Sequence, residues 1–186
     1  MNLTDGPKGG VTQLLRAIHF AAEQHRDHRR KGKTGAPYIN HPITVAEQLS
    51  RAGEQDNIDL LMAAVLHDVI EDTETTQEEM EALFGKSVTA IVMEVTDDKS
   101  LDEKERKRLV VQQIAGKSRE ARLLKLSDMI ANIYDVIHHP PNWSRDRKHR
   151  YFDWCEQVAR EIEGIHPALE RQFRILIGDG RRKLGG

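Results

Sequence analysis

The stretch Leu60-Leu61-Met62-Ala63-Ala64-Val65-Leu66-His67-Asp68-Val69-Ile70-Glu71-Asp72 decides how the rest of the chain reads. Its first seven residues are apolar without a break. A helix that is apolar on nearly every face has to be buried, so we expect a central helix over 60–70, capped at Asp56-Asn57. The same helix runs into His67, Asp68, Glu71 and Asp72. Side chains four apart share a helix face, which puts His67 over Glu71 and Asp68 over Asp72. Ionisable groups at the end of an apolar helix are costly to bury unless something compensates them, and a divalent cation does so directly. A helix that simply emerges into solvent fits residues 67–72 equally well.

Outward from this stretch, glycines and prolines divide the chain into helix-sized pieces. Before it, Val11, Leu14, Leu15, Ile18, Ala21 and Ala22 recur at helical spacing, and Asp27 to Ala36 reads as a loop. Pro42 suits the first turn of a helix that Gly53 stops. After it, Thr76 with Glu79 fits a capping box, and Ser87 and Ser100 are candidate caps for the next two helices. Three more helices are expected: Ser118 to Ile137, Ser144 to Ile162, and one from Pro167 through Ile177. No segment alternates with a period of two and no repeat appears. The expectation is a compact all-α domain of eight or nine helices over 11–177, with flexible ends at 1–10 and 178–186.

The chain has 186 residues, of which 31% are charged and 38% hydrophobic. That length fits one domain with a closed core. Lys and Arg (28) nearly cancel Asp and Glu (30), which argues against a protein that coats nucleic acid. An apolar run of seven residues falls far short of the ~20 needed to cross a bilayer. The single cysteine, Cys155, allows no internal disulfide, and the polar N-terminus lacks the apolar core of a signal peptide, so the expected compartment is the cytoplasm.

Two further residues bear on the acidic helix end. His41 stands at the start of the Pro42 helix, where a lone histidine more often caps or faces solvent. Asp128 lies among the core-forming Leu124, Leu126, Ile130 and Ile133, with Lys125 within pairing range. In chain order these are His41, His67-Asp68 and Asp128. That order is the pattern of the HD-domain metal phosphohydrolases. Longer stretches bring the chain closer to the hydrolase domain of the RelA/SpoT-homologue family, and to its small stand-alone members. They are Arg29-Arg30-Lys31, Gly35-Ala36-Pro37-Tyr38-Ile39-Asn40-His41-Pro42, and Ala63 through Thr73. Glu94-Val95-Thr96-Asp97-Asp98-Lys99, Glu105-Arg106-Lys107-Arg108-Leu109, Lys125-Leu126-Ser127-Asp128 with Asn132, and Tyr151-Phe152 continue the match. The resemblance spans about Leu14 to Ile162 and leaves no room for a synthetase domain.

The resemblance implies an all-α HD fold and hydrolysis of the 3′-diphosphate of ppGpp and pppGpp, releasing pyrophosphate. It implies a divalent ion, Mn²⁺, on His41, His67, Asp68 and Asp128; mixed nitrogen and oxygen donors also suit Fe²⁺ or Zn²⁺. A metal-bound water is the expected nucleophile, with Glu71 and Asp72 as the catalytic acidic pair. Arg30, Lys31, Lys99, Arg106, Asn132 and Tyr151 are the implied substrate contacts. For the basic residues the alternative is solvated surface charge, and for Tyr151 it is packing with Phe152 and Trp154. The expected partner is a small nucleotide, with neither nucleic acid nor membrane; the sequence is silent on oligomeric state. Ser127 stands where relatives usually carry Ala, and Tyr134 where they carry Arg. The motifs leave three alternatives: a (p)ppApp hydrolase, an NADPH phosphatase, or a non-catalytic alarmone-binding module.

Overall fold

The computed structural model describes residues 9–32 and 35–185. The expected flexible segment 1–10 therefore lies outside the described residues, apart from its last two. Ten α segments follow one another: α1 (Gly10–Gln24), α2 (Asn40–Leu49), α3 (Ile58–Leu66), α4 (Val69–Asp72), α5 (Gln77–Phe84), α6 (Lys86–Val95), α7 (Glu103–Gln113), α8 (Arg119–His138), α9 (Arg145–Glu161) and α10 (Pro167–Lys183). Among the described residues the only β pairing is an isolated bridge between Arg29 and Pro37. The fold is all-α, and none of these helices is long and apolar enough to cross a membrane.

Helix α3 is the centre. Leu60 through Leu66 are all buried, with α1, α2 and α6 packed around them. Helix α2 lies between α3 and α8, and α10 runs along α8. The α3 cap is Asn57, whose side chain accepts the Leu60 N–H at 3.1 Å. The helix expected over 60–70 is interrupted, however: α3 stops at Leu66 and the chain becomes helical again only at Val69. The His67 ring explains this. Its Nδ1 donates to the Ala64 carbonyl at 2.8 Å, and that carbonyl is the one a continuing helix would offer to the Asp68 N–H. The interruption is slight, since His67 and Asp68 both keep α-region dihedrals, and His67 faces Asp128 of α8 while Asp68 meets Tyr38 just before α2.

Two caps differ from expectation. Helix α6 starts after Gly85, whose φ of 87° ends α5 without steric cost, and Ser87 lies inside the helix. Helix α7 is capped by Asp102, which accepts the Glu105 N–H at 2.8 Å, while Ser100 donates its N–H to Asp98.

Residues 178–183, part of the segment expected as a flexible tail, are helical. Helix α10 passes through Gly178 and Gly180 and ends at Lys183. Gly180 is buried where a Cβ would meet Phe152 Cε2 at 2.7 Å and Ile137 Cδ1 at 3.2 Å. This glycine lets two helices approach; it does not end one. Arg181 then ties α10 to Asp153 and Glu156 on α9, at 2.7 and 2.6 Å.

The basic loop is pinned as well. Arg30 N–H donates to the Ala36 carbonyl at 2.9 Å, and Tyr38 N–H to the His28 carbonyl at 3.1 Å. Gly32 sits so close to α8 that a Cβ would lie 2.9 Å from the His139 carbonyl oxygen.

Two outcomes follow from this packing. Gly180→Ala should lower stability by about 1–3 kcal/mol, although Ala is the better helix former, because Phe152 has to move; thermal unfolding measures it. Cys155 is fully buried, and burial pushes its thiol up to about 12. A thiol reagent at neutral pH should leave the native protein untouched and label one site per chain once it is unfolded.

Candidate active site and metal centre

Four side chains converge from three parts of the chain: His41 from the first turn of α2, His67 and Asp68 from the break after α3, and Asp128 from the middle of α8. His41 Nε2 lies 3.1 Å from Asp128 Oδ1. His67 Nε2 lies 3.1 Å from Asp68 Oδ2 and 3.8 Å from Asp128 Oδ1. One donor atom each from His41, His67 and Asp128 fall within 4.8 Å of one another. Because His67 donates from Nδ1 to Ala64, its neutral ring has a lone pair on Nε2. That atom is buried without a hydrogen-bond partner and faces two carboxylates. An orphaned lone pair beside two carboxylates and a second imidazole is the donor set that a divalent cation satisfies.

The electrostatics agree. Burial works against charge on His67, yet the Asp68 and Asp128 carboxylates outweigh it and raise its pKa to about 9, so in the absence of a cation the ring takes a second proton on Nε2, the place a divalent ion would fill. Burial also opposes ionisation of Asp68 and Asp128, and each is nonetheless held well below the usual range. His67, His41 and the Tyr38 hydroxyl do this for Asp68; Lys125 and the two histidines do it for Asp128. The site is built to favour positive charge among these atoms.

Around the cluster each group is tied to another. Tyr38 Oη donates to Asp68 Oδ2 at 2.5 Å. Asn132 Nδ2 donates to Asp128 Oδ1 at 2.6 Å, and its Oδ1 accepts from Arg30 Nη2 at 2.8 Å. Arg30 also donates to Asp135 Oδ2 from Nε and Nη2, at 3.0 and 2.7 Å. Lys125 Nζ lies 3.5 Å from Asp128 Oδ2. Glu71 accepts the Asp97 backbone N–H at 3.1 Å. Burial raises the Glu71 pKa and this bond opposes the rise. Lys99 Nζ sits 2.5 Å from Asp72 and 3.9 Å from Glu71.

These residues line two adjoining cavities. A small one of about 160 Å³ holds His41, His67, Asp68, Glu71, Asp97, Lys125 and Asp128. A large one of about 690 Å³ holds Arg30, Lys31, Asp72, Trp143 and Tyr151. Tyr38 and Asn132 line both and form the wall between them. Tyr151 also packs on Trp143 and Trp154, with centroids 5.5 and 5.8 Å away, so contact with the cavity and packing coexist there. Two expected substrate contacts line neither cavity. Lys99 reaches the site only through the acidic pair, and Arg106 has a buried Nε with no partner. Tyr134 is outside both, stacked on His138 at 4.0 Å.

Tyr38, Asp97, Asp135 and Trp143 were not singled out from the sequence as site residues. Tyr38 carried a local signal, three residues before His41 in the Pro37-to-Pro42 motif, and Asp97 carried one within the Glu94-to-Lys99 stretch; Asp135 and Trp143 lie outside the quoted motifs.

The comparisons with known proteins agree with this geometry. The HD domain pattern matches residues 17–150. The chain is 45% identical over 164 residues to the Danio rerio guanosine-3′,5′-bis(diphosphate) 3′-pyrophosphohydrolase MESH1, covering 88% of this chain and 91% of that one. It is 46% identical over 167 residues to the Homo sapiens protein of the same name, covering 89% and 93%. The bifunctional (p)ppGpp synthase/hydrolase SpoT of Escherichia coli is 35% identical over 175 residues, which make up 91% of this chain and 23% of SpoT. Among solved structures, one described as a metazoan ortholog of SpoT that hydrolyzes ppGpp superposes with a TM-score of 0.87 at 37% identity. It covers 98% of this chain and 99% of that one.

Removing the Asp135 carboxylate leaves a partly buried Arg30 with Asn132 alone. Asp135→Ala should cost about 1–2 kcal/mol, seen as a fall of several degrees in Tm; an unchanged Tm would show that the pair contributes nothing to stability.

Proposed function

The chain belongs to the HD-domain family, and from that premise we propose that it is a guanosine-3′,5′-bis(diphosphate) 3′-pyrophosphohydrolase. It cleaves the 3′-diphosphate of ppGpp or pppGpp, leaving GDP or GTP and pyrophosphate. The observation that carries this reading is the orphaned Nε2 of His67 among Asp68, Asp128 and His41, at the end of a cavity that supplies Arg30, Lys31 and an aromatic wall.

His41, His67, Asp68 and Asp128 would hold one divalent ion, for which Mn²⁺ is our assignment. Bound there, such an ion supplies Lewis-acid charge and a water of lowered pKa. The chain's own residues do the rest. Glu71, fixed by the Asp97 N–H, orients the attacking water and takes its proton; a carboxylate with a raised pKa is suited to that work. Asp72 shares the acidic role and is kept in place by Lys99. The water oxygen bonds to the phosphorus attached to the ribose 3′-oxygen, the phosphorus–oxygen bond breaks, and the 3′-oxygen leaves taking the proton that the acidic pair received from the water. Arg30 and Lys31 take up phosphate charge, and Asn132 contacts the nucleoside from the wall between the cavities. Tyr151 offers the base a face, with Trp143 beside it. Lys99, paired with Asp72, would meet substrate phosphate only by giving up that ion pair.

The deciding experiment offers ppGpp, ppApp and NADPH to purified protein with Mn²⁺ and analyses the products. Pyrophosphate release from ppGpp, lost at least 10³-fold in Asp68→Ala, is the expected result. No turnover of any of the three overturns the enzyme reading, and preference for NADPH or ppApp moves the substrate. Glu71→Gln should lower kcat by about 10²-fold or more with KM little changed, because proton transfer is lost while binding is kept. A chelator should abolish turnover, and Mn²⁺ added back should restore it.

A further inference from the structure

His25 and His28 have no part in the mechanism above. His25 follows the last turn of α1 and is 2% exposed. His28 is half-buried and lines the large cavity. Their Nδ1 atoms are 2.9 Å apart. Two ring nitrogens at that distance share one proton, so one donates and the other accepts.

The buried end of the pair decides which. His25 Nε2 is enclosed and has no hydrogen-bond partner. If His28 were the donor, neutral His25 would carry its proton on Nε2 and bury an unpaired N–H. If His25 donates from Nδ1, the enclosed Nε2 is only a bare lone pair. Unpaired buried donors are the rarer defect in folded proteins, and unpaired acceptors are better tolerated. Burial pushes the His25 pKa down, which keeps the ring neutral and the choice sharp. His28 then accepts at Nδ1 and carries its own proton on Nε2, at the ring edge turned away from His25. Among the described residues that edge has no protein partner, and the residue it belongs to borders the cavity. The pair is also braced on the site: the Tyr38 ring lies 4.8 Å from that of His25, and Tyr38 N–H donates to the His28 carbonyl.

We propose that His28 is a nucleotide-binding residue whose Nε2–H donates a hydrogen bond to an acceptor atom of the substrate in the large cavity. His25 is the buried positioning residue that fixes the His28 tautomer. The proposal rests on the reading of that cavity as the nucleotide site. The acceptor is a phosphate oxygen or an atom of the nucleoside.

The test has a part that needs no substrate. ¹⁵N correlation spectra of the histidine rings in the free protein should show His25 protonated on Nδ1 and His28 on Nε2; a His28 protonated on Nδ1 overturns the proposal. GDP and guanosine are then titrated calorimetrically into wild type, His28→Leu and His28→Gln. His28→Leu should bind GDP about tenfold more weakly, the size of one hydrogen bond, and His28→Gln, which keeps an N–H donor, should recover most of it. A loss seen with GDP and not guanosine places the donor on phosphate; a loss seen with both places it on the nucleoside. Equal GDP affinity in His28→Leu and wild type overturns the proposal. With ppGpp as substrate, His28→Leu should raise KM about tenfold and leave kcat within about twofold. Wild-type turnover with His28→Leu kinetically identical refutes the role of His28 alone. Absence of turnover in wild type refutes the functional reading instead.

Discussion

The rest of the structure depends on two carboxylates, Asp68 and Asp128, placed against the most apolar helix in the chain. Each is largely enclosed, with side-chain exposures of 17% and 14%. Charges in such a place have to be neutralised nearby or they unmake the core. The fold supplies compensation from every side: His67 from the α3 break, His41 from α2, Lys125 from within α8, and the Tyr38 hydroxyl from the loop before α2. None of these alone balances two negative charges, and His67 Nε2 still lacks a hydrogen bond. The helix packing follows from the same need. Helix α2 packs on both α3 and α8, which brings His41 to Asp128 and beside His67.

The basic loop answers a second constraint. A flexible cationic loop facing a polyphosphate would lose much of its binding energy to ordering. Here Arg30 is ordered in advance by Asp135 and Asn132, and the loop backbone is closed by its bonds to Ala36 and Tyr38. Gly32 allows the loop to lie on the end of α8, against the His139 carbonyl. The near-neutral charge of the whole chain therefore says little about its ligand. Asp68, Glu71, Asp97 and Asp128 gather in the small cavity with Lys125, while Arg29, Arg30 and Lys31 border the large one beside Asp27, Asp72 and Asp135.

The helices were legible because their apolar spacing is a property of neighbouring residues. The histidines and acids of the cluster were legible because motifs around them are continuous in sequence. What was not legible depends on partners far along the chain. Tyr38 meets Asp68 across 30 positions, and Arg30 meets Asp135 across 105. The break at His67 turns on a side chain competing for one backbone carbonyl, which apolar periodicity does not register. The shifts from Ser87 to Gly85 and from Ser100 to Asp102 are choices between adjacent caps of similar worth. The last helix outran its sequence signal because Gly180 fits Phe152, and only the tertiary contact tells a packing glycine from a terminating one.

Chemistry and recognition are not separable in this site. Tyr38 holds Asp68 and walls the large cavity; Asn132 holds Asp128 and anchors Arg30. A substrate that displaced Arg30 from Asn132 would loosen a bond partner of Asp128, and a cation settling among the carboxylates would stiffen the wall the substrate meets. Residues joined in one network do not contribute independently, so single substitutions at Tyr38, Asn132 and Asp135 will not sum to the effect of combined ones. The two cavities are thus one device. The chain that lines the large cavity also sets the geometry of the acids behind it, and a substitution that reshapes one has to preserve the other.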